Sequence, residues 1–343
     1  MARTYRAAGV DVEEAARAVE RIALAAAATA TPAVLGEIGG FGGLFRFDPG
    51  AHADPILVSS TDGVGTKLKV AVALGRHGTI GVDLVNACLN DIIVSGATPL
   101  FFLDYLAIGD LRADIVEEIV GGVAAACAAA GIPLIGGETA QMPDLYRGAD
   151  YDLAGFIVGV VARADLVDGS RARGGDEVIG IPSSGLHTNG YSLARRILPE
   201  ETWGRQMPDN GRTIGDALLE PHRSYLDEVR ILRQALRDAG DDIHAMAHIT
   251  GGGWEGNVPR TLPAGLGVEI ETGSWPTPRI FSLIQSSGDI ADEEMVRTFN
   301  VGIGLTAVVS ADLAEGAIAA LGEAYRIGRV VQVPDGEARV RFA

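Results

Sequence analysis

Six consecutive residues, Asp62-Gly63-Val64-Gly65-Thr66-Lys67, put a carboxylate, two glycines, a hydroxyl and an ammonium into one short stretch. Gly63 and Gly65 let a backbone approach a ligand with no Cβ in the way. Successive N–H groups in such a turn favour an anion, Lys67 adds a point charge, and Asp62 can hold a divalent cation. Together these are parts of a site for a metal–polyphosphate complex, although the string is not the G-x-x-x-x-G-K-[ST] phosphate loop. Taken alone, the six residues read more readily as a solvated glycine turn with an incidental Asp and Lys.

Two more carboxylates occupy unusual settings. Asp91 follows Asn90 inside the apolar helical run 79–96, and Glu138 closes an apolar strand in Gly136-Gly137-Glu138-Thr139. An Asp inside a buried helix costs on the order of several kcal/mol without a partner, so an ion and a structural hydrogen bond both fit Asp91. Carboxylates with a lysine nearby suit a hard Mg²⁺ ion bridging nucleotide phosphates. Asp104 lies among apolar neighbours in the strand 100–108, where it faces a site or a domain interface, the interface being preferred. Residues 36–44 (GEIGGFGGL) carry five glycines, which suit a mobile lid over phosphates or a plain connector. In the second half, Ser184, His187 and Asn189 lie in a strand-to-helix turn whose N–H groups can meet an anion. His187 there is an acid, a base, a phosphate donor or an idle loop residue. A second turn of this kind runs from His248 through Thr250-Gly251-Gly252-Gly253. No Ser or Cys sits in a nucleophile elbow, and no His/Cys spacing suggests zinc.

The elements that position these residues alternate strand and helix. Strands are predicted at 56–60, 100–108, 132–135, 151–162, 177–181, 243–247, 301–309 and 327–333. Helices are predicted at 68–74, 79–96, 113–130, from 191, and at 225–239, 275–286 and 311–321. Asp11 to Glu14 resembles a capping box for a first helix that stops before Pro32, and Gly131 stands where the helix 113–130 should end. With 343 residues, 47% of them hydrophobic and 46 of them Gly, the chain reads as an α/β protein of two domains that meet in the polar stretch 165–176. The net charge of −17 and the lack of a Lys/Arg run exclude nucleic acid as an expected partner. No apolar run reaches membrane-spanning length, Cys88 and Cys127 read as small buried hydrophobes, and the cytosol is the expected compartment.

In one order across nearly the whole chain, STDGVGTK, VNACLNDI, GGETAQMP, SSGLHTNGYSL, HITGGGWEGNVPR and EEMVRTFNVGIG resemble the phosphoribosylformylglycinamidine cyclo-ligases, or AIR synthetases, of purine biosynthesis. The first three segments recur more loosely in a wider ATP-using superfamily that includes selenophosphate synthetase and thiamine-monophosphate kinase; the last three point to the cyclo-ligases. The resemblance implies an α/β (α+β) fold with an N-terminal mixed-sheet domain, residues 1–168, whose sheet pairs with a second subunit in a homodimeric barrel. A C-terminal α/β domain, residues 169–343, binds substrate. The implied reaction is ATP-dependent closure of formylglycinamidine ribonucleotide to 5-aminoimidazole ribonucleotide, by phosphoryl transfer to the formyl oxygen and attack of the amidine nitrogen. It further implies Asp62, Asp91 and Glu138 as Mg²⁺–ATP carboxylates and Lys67 as phosphate partner. Gly63, Gly65 and Thr66 belong to the same nucleotide turn, and Gly40, Gly42 and Gly43 to a mobile loop beside it. Ser184, His187, Asn189 and Thr250 to Gly253 bind the substrate's phosphate or ribose, with His187 and then His248 as acid–base candidates. One departure concerns the acidic residue that relatives carry just before the Asn of the TGGG element: Gly256 stands there, and Glu255 receives no role. Rival expectations are a small-molecule kinase of the same superfamily and a non-catalytic nucleotide-binding protein.

Overall fold

The computed structural model describes residues 12–36, 40–207 and 211–343; Asp11, at the start of the expected capping box, and residues 37–39 of the glycine stretch lie outside the described residues. The chain groups into two units, one of the residues up to Ile92 with Ala97–Ala164, the other of Ile93–Gly96 with Asp165–Ala343.

In the first unit α1 (Val12–Ala27) leads to β1 (Pro55–Gly63), α2 (Leu68–Leu74), α3 (Ile80–Ile93), β2 (Thr98–Ile108), α4 (Ala113–Ala130), β3 (Leu134–Gln141) and β4 (Tyr151–Ala162). The sheet order is β1-β4-β2-β3. β4 runs antiparallel to both neighbours, while β2 and β3 are parallel. Parallel neighbours need a long crossover, and α4 supplies it. α4 stops at Gly131, whose φ of 72° is the left-handed ending that the sequence predicts. α3 is apolar on more than one side because it is largely interior: Leu84, Val85, Cys88, Leu89 and Ile92 have no exposure. It lies on the sheet face that carries Phe102, since a Cβ on Gly155 would strike Phe102, Leu84 and Cys88. Alternation puts the other set of side chains on the opposite face. There Leu57 is 63% and Phe156 43% exposed, beside half-buried Phe101, Leu103 and Tyr105.

Gly136 and Gly137 belong to the strand β3 rather than to a turn that ends it. The reason is a close approach across the sheet. Gly137 is paired with Asp104, and a Cβ on Gly137 would lie 2.1 Å from Asp104 Oδ1.

The second unit contains β5 (Glu177–Pro182), α5 (Tyr191–Ile197), α6 (Ile214–Leu218), α7 (Leu226–Asp238), β6 (Ala245–His248), α8 (Gly253–Asn257) and β7 (Leu266–Ile270). These precede α9 (Arg279–Gly288), α10 (Asp292–Thr298), β8 (Ile303–Val309), α11 (Ala314–Leu321), β9 (Tyr325–Gln332) and β10 (Val340–Phe342). Its sheet has the order β10-β7-β9-β5-β8-β6, with β10 parallel to β7 and the other pairs antiparallel. Trp254, Ile303, Val268 and Ile327 anchor its core. α9 begins later than the expected 275 because Pro276 and Pro278 hold the approach extended. Ile93–Gly96 joins this unit through the Val167 N–H, which donates to the Ser95 carbonyl at 3.1 Å, and Arg233 Nη1, which donates to the Gly96 carbonyl at 3.2 Å.

Candidate functional site

β1 delivers Asp62 at its C-terminal end, half-buried, with its Oδ1 accepting from the Gly63 N–H at 2.8 Å. Ser60, two residues earlier and therefore on the same face, donates to Asp91 Oδ2 of α3 at 3.1 Å. Asp62 and Asp91 both act on Cys88: burial pushes this thiol up, and the two negative charges push it further. The two carboxylates thus converge between β1 and α3, both half-buried. Beyond them the chain turns through Gly65 and Thr66, which are exposed, Gly65 with a φ of 68°.

Two expectations change here. Lys67 does not reach outward; its Nζ donates to Asp83 Oδ1 at 2.8 Å, and both side chains have zero exposure. Burying an ammonium requires a charged partner close by, and Asp83, in the first turn of α3, supplies it. Glu138 does not join Asp62 and Asp91. Register pairs Asp62 with Gly155 and Gly155 with Asp104, whereas Glu138 pairs with Tyr105, one residue out of step and so on the opposite face. Glu138 is exposed and lies with Gly40, Gly42 and Gly43 around a cavity of about 850 Å³ at the β3 edge.

Asp104 lines the same cavity. Its carboxyl packs over Gly137 within the first unit, and burial raises its pKa to about 7.

In the second unit, β5 and β6 both run antiparallel to β8, pairing Pro182 with Ile303 and His248 with Leu305. Their C-terminal ends therefore come together at the start of β8. Gly304 makes the room: a Cβ there would lie 2.0 Å from the Tyr225 hydroxyl and 2.5 Å from His187 Cε1. His187, at a φ of 61°, turns its ring back so that the Ser184 N–H donates to Nε2 at 3.3 Å. In the neutral ring this leaves the proton on Nδ1. The Ser184 hydroxyl, expected to meet ligand, instead donates to the Pro221 carbonyl at 2.5 Å. Asn189 and the TGGG turn do meet, since a Cβ on Gly251 would lie 3.3 Å from Asn189 Oδ1. Thr250, Gly251 and Gly252 are partly or fully exposed, and buried Gly253 has Val296 O 2.1 Å from where its Cβ would be.

Sequence reasoning missed the residues that hold these turns. Asn257 Nδ2 donates to the Thr250, Gly251 and Gly253 carbonyls at 3.3, 3.3 and 2.7 Å. Asn300 Nδ2 donates to the Gly185 carbonyl at 2.8 Å, while its Oδ1 accepts from Ser183 Oγ and the Gly302 N–H. His222 lies between His187 and His248, with His187 stacked on it at 3.9 Å. Asn257 and Asn300 sit inside the strings HITGGGWEGNVPR and FNVGIG, so the strings marked the place without giving the role. His222 had no such marker.

Comparison with known proteins defines the class first. Residues 43–161 match the family described as AIR synthase related protein, N-terminal domain, and residues 173–341 its C-terminal domain. Among solved structures, the thiamine-monophosphate kinase of Stenotrophomonas maltophilia K279a shares the fold at a TM-score of 0.67. It is 19% identical, over 95% of each chain. A hydrogenase maturation protein HypE in complex with ATP shares it at 0.66 and 18% identity, over 96% of this chain and 91% of that one. Closer in sequence, the phosphoribosylformylglycinamidine cyclo-ligase of Sorangium cellulosum (strain So ce56) is 50% identical over 100% of both chains. That of Anaeromyxobacter dehalogenans (strain 2CP-1 / ATCC BAA-258) is 52% identical over 98% of both. The chain belongs to the phosphoribosylformylglycinamidine cyclo-ligase family and is a ligase.

Proposed function

We propose that this ligase of purine biosynthesis closes formylglycinamidine ribonucleotide to 5-aminoimidazole ribonucleotide at the expense of ATP, releasing ADP and phosphate. The observation that carries the reading is the convergence of Asp62 and Asp91 behind a glycine turn, in a chain about half identical to named cyclo-ligases over its full length.

The formyl oxygen is a poor leaving group. Moving the γ-phosphoryl onto it creates a good one, and the amidine nitrogen then attacks the same carbon and expels phosphate. Half-buried carboxylate oxygens are the donor set that Mg²⁺ prefers, so Asp62 and Asp91 fit as its ligands. The ion, when bound with ATP, neutralises phosphate charge. Gly63, Gly65 and Thr66 give an exposed turn for the phosphates, and the Lys67–Asp83 pair holds that turn from inside. We assign Gly40, Gly42, Gly43 and Glu138 to the border of the nucleotide, around the cavity that they share. The division of labour follows: residues 1–168 hold nucleotide and metal, and residues 169–343 bind substrate through Asn189, Thr250, Gly251 and Gly252. Ser184 and Gly253 shape those turns, and His187 and His248 handle protons beside them. The uncovered apolar sheet face around Leu57 and Phe156 supports a homodimer.

The test is formation of aminoimidazole ribonucleotide from formylglycinamidine ribonucleotide with ATP, with and without Mg²⁺, in the wild type and in Asp62→Asn and Asp91→Asn. The expected result is Mg²⁺-dependent product, one phosphate per ring closed, with turnover lost and fold kept in both variants. A phosphorylated, unclosed product would favour a kinase. Near-normal rates in either variant would remove that residue from the metal site.

A further inference from the structure

Two loop histidines and one at the end of β6 meet in the second unit: His187 and His222 are 1% exposed, and His248 is 5% exposed. The rings of His187 and His222 stack with centroids 3.9 Å apart and planes at 18°. His222 Nε2 lies 3.0 Å from His248 Nε2. On its other side, His222 Nδ1 lies 3.5 Å from Thr188 Oγ1, at the long limit of a hydrogen bond. His222 thus stands between the Ser184–Asn189 turn and the His248–Gly253 turn.

A shared metal ion is the first idea such a trio suggests, since a nitrogen of each ring lies within 4.8 Å of the others. The stack decides against it. An imidazole lone pair lies in the plane of its ring, so an ion held in the plane of His222 would sit above the face of nearly parallel His187 instead of in its plane. A hydrogen bond between His222 and His248 has no such conflict. It requires one ring to donate an N–H and the other to offer a lone pair.

We propose that His222 is a positioning residue of the substrate site, which orients His248, couples the tautomer of that ring to its own, and ties the two substrate turns together through one shared proton. The inference rests on the assignment of those turns to substrate. Two arrangements satisfy the chain of contacts. When His248 donates from Nε2, His222 carries its proton on Nδ1 and donates to Thr188 Oγ1. When His222 donates from Nε2, its Nδ1 accepts from the Thr188 hydroxyl, and His248 keeps its proton on Nδ1. The Thr188 hydroxyl in one turn and His248 Nδ1 before the other therefore switch together. The surrounding charges are already engaged. Arg223 pairs with Glu228 at 2.6 Å and lies over the Tyr225 ring, Glu220 pairs with Arg212, and Tyr225, pushed up by burial, donates to the Pro182 carbonyl as a neutral phenol.

The test compares wild type with His222→Phe, which keeps a stacking ring without nitrogens, and His222→Gln, which keeps a donor and an acceptor. Nitrogen-15 spectra of the imidazoles in ligand-free protein report the His248 tautomer, and steady-state kinetics report KM and kcat. The proposal expects His222→Phe to shift the His248 tautomer signal and raise KM for formylglycinamidine ribonucleotide at least about tenfold, with kcat lowered as well because His248 handles protons. His222→Gln should restore most of both. An unchanged His248 signal in His222→Phe overturns the proposal whatever the reaction. Equal behaviour of Phe and Gln overturns it too, by reducing His222 to volume. A shifted signal with KM unchanged leaves the ring coupling intact and overturns the assignment of the turns to substrate.

Discussion

Replacing Asp104 by Asn should make this protein more stable at alkaline pH, with a size set by the burial of one carboxyl group. Asp104 is 8% exposed, lies over Gly137, and has its pKa raised from 3.8 to about 7 by desolvation. The folded chain therefore binds this proton more tightly than the unfolded chain does. Below about pH 4 both states are protonated and no penalty arises. Between about pH 4 and 7 stability falls as pH rises, and above 7 the full penalty is present. Three decades of proton affinity at about 1.4 kcal/mol each give about 4 kcal/mol as an upper bound. Relaxation around the adjoining cavity reduces that to about 1–3 kcal/mol. Asn has the same shape and cannot ionise, so the close approach to Gly137 is kept and the penalty removed. The assay is urea unfolding of wild type and Asp104→Asn at pH 5 and pH 8. The variant's advantage should widen by about 1 kcal/mol between the two, because part of the penalty is already present at pH 5. A constant difference, or one that grows in the wild type's favour, would refute the reasoning and show that the ionised carboxylate has a partner in the folded chain.

Lys67→Met should lower stability by about 3–5 kcal/mol by leaving Asp83 charged and enclosed, and Lys67→Met with Asp83→Leu should recover most of it. Thermal unfolding reads both; an unchanged midpoint in the single variant together with lost ATP affinity would return Lys67 to the phosphates. Gly304→Ala should cost about 1–3 kcal/mol and raise KM for the substrate, because the new methyl meets Tyr225 and His187 in a space already full. An unaltered melting curve and KM would count against the account of how the two turns are brought together. Phe156→Glu should give a monomer by light scattering, since it puts a charge on the uncovered sheet face; a dimer mass would place the subunit contact elsewhere.

What could be read from the sequence was what neighbouring residues decide. The end of α4 at Gly131, the span of α2 and the burial of Cys88 and Cys127 depend on local pattern, and the structure has them as expected. What was misread depends on distant residues. Gly137 is glycine because Asp104 lies across the sheet from it, not because the chain turns there. Lys67 looked like a phosphate ligand because Asp83, sixteen residues on, looks like any acid in the first turn of a helix. Glu138 joined the metal set by its place at a glycine-flanked strand end and by the resemblance; only register shows which face it takes. His222 follows Pro221 in a stretch with no periodicity, and β10 is three residues paired with a strand some seventy residues earlier.

The tetrapeptide Ile93–Gly96 bears on how such a gene can be cut and recombined. The chain enters the C-terminal unit there, leaves it, and returns for good at Asp165. Arg233 gathers carbonyls from both visits, Gly96 at 3.2 Å and Asp165, while its Nε holds Asp242 at 3.1 Å. Gly96 must stay small and left-handed, with a φ of 79° and Arg233 Nη1 2.8 Å from where a Cβ would stand. A fragment beginning at residue 165 would carry a guanidinium built for an acceptor encoded some seventy codons upstream. Chimaeras joined at that point between relatives would inherit the acceptor from one parent and the arginine from the other. Exchange of halves is then open only to parents that agree at these few positions, although the chain offers what looks like a clean joint.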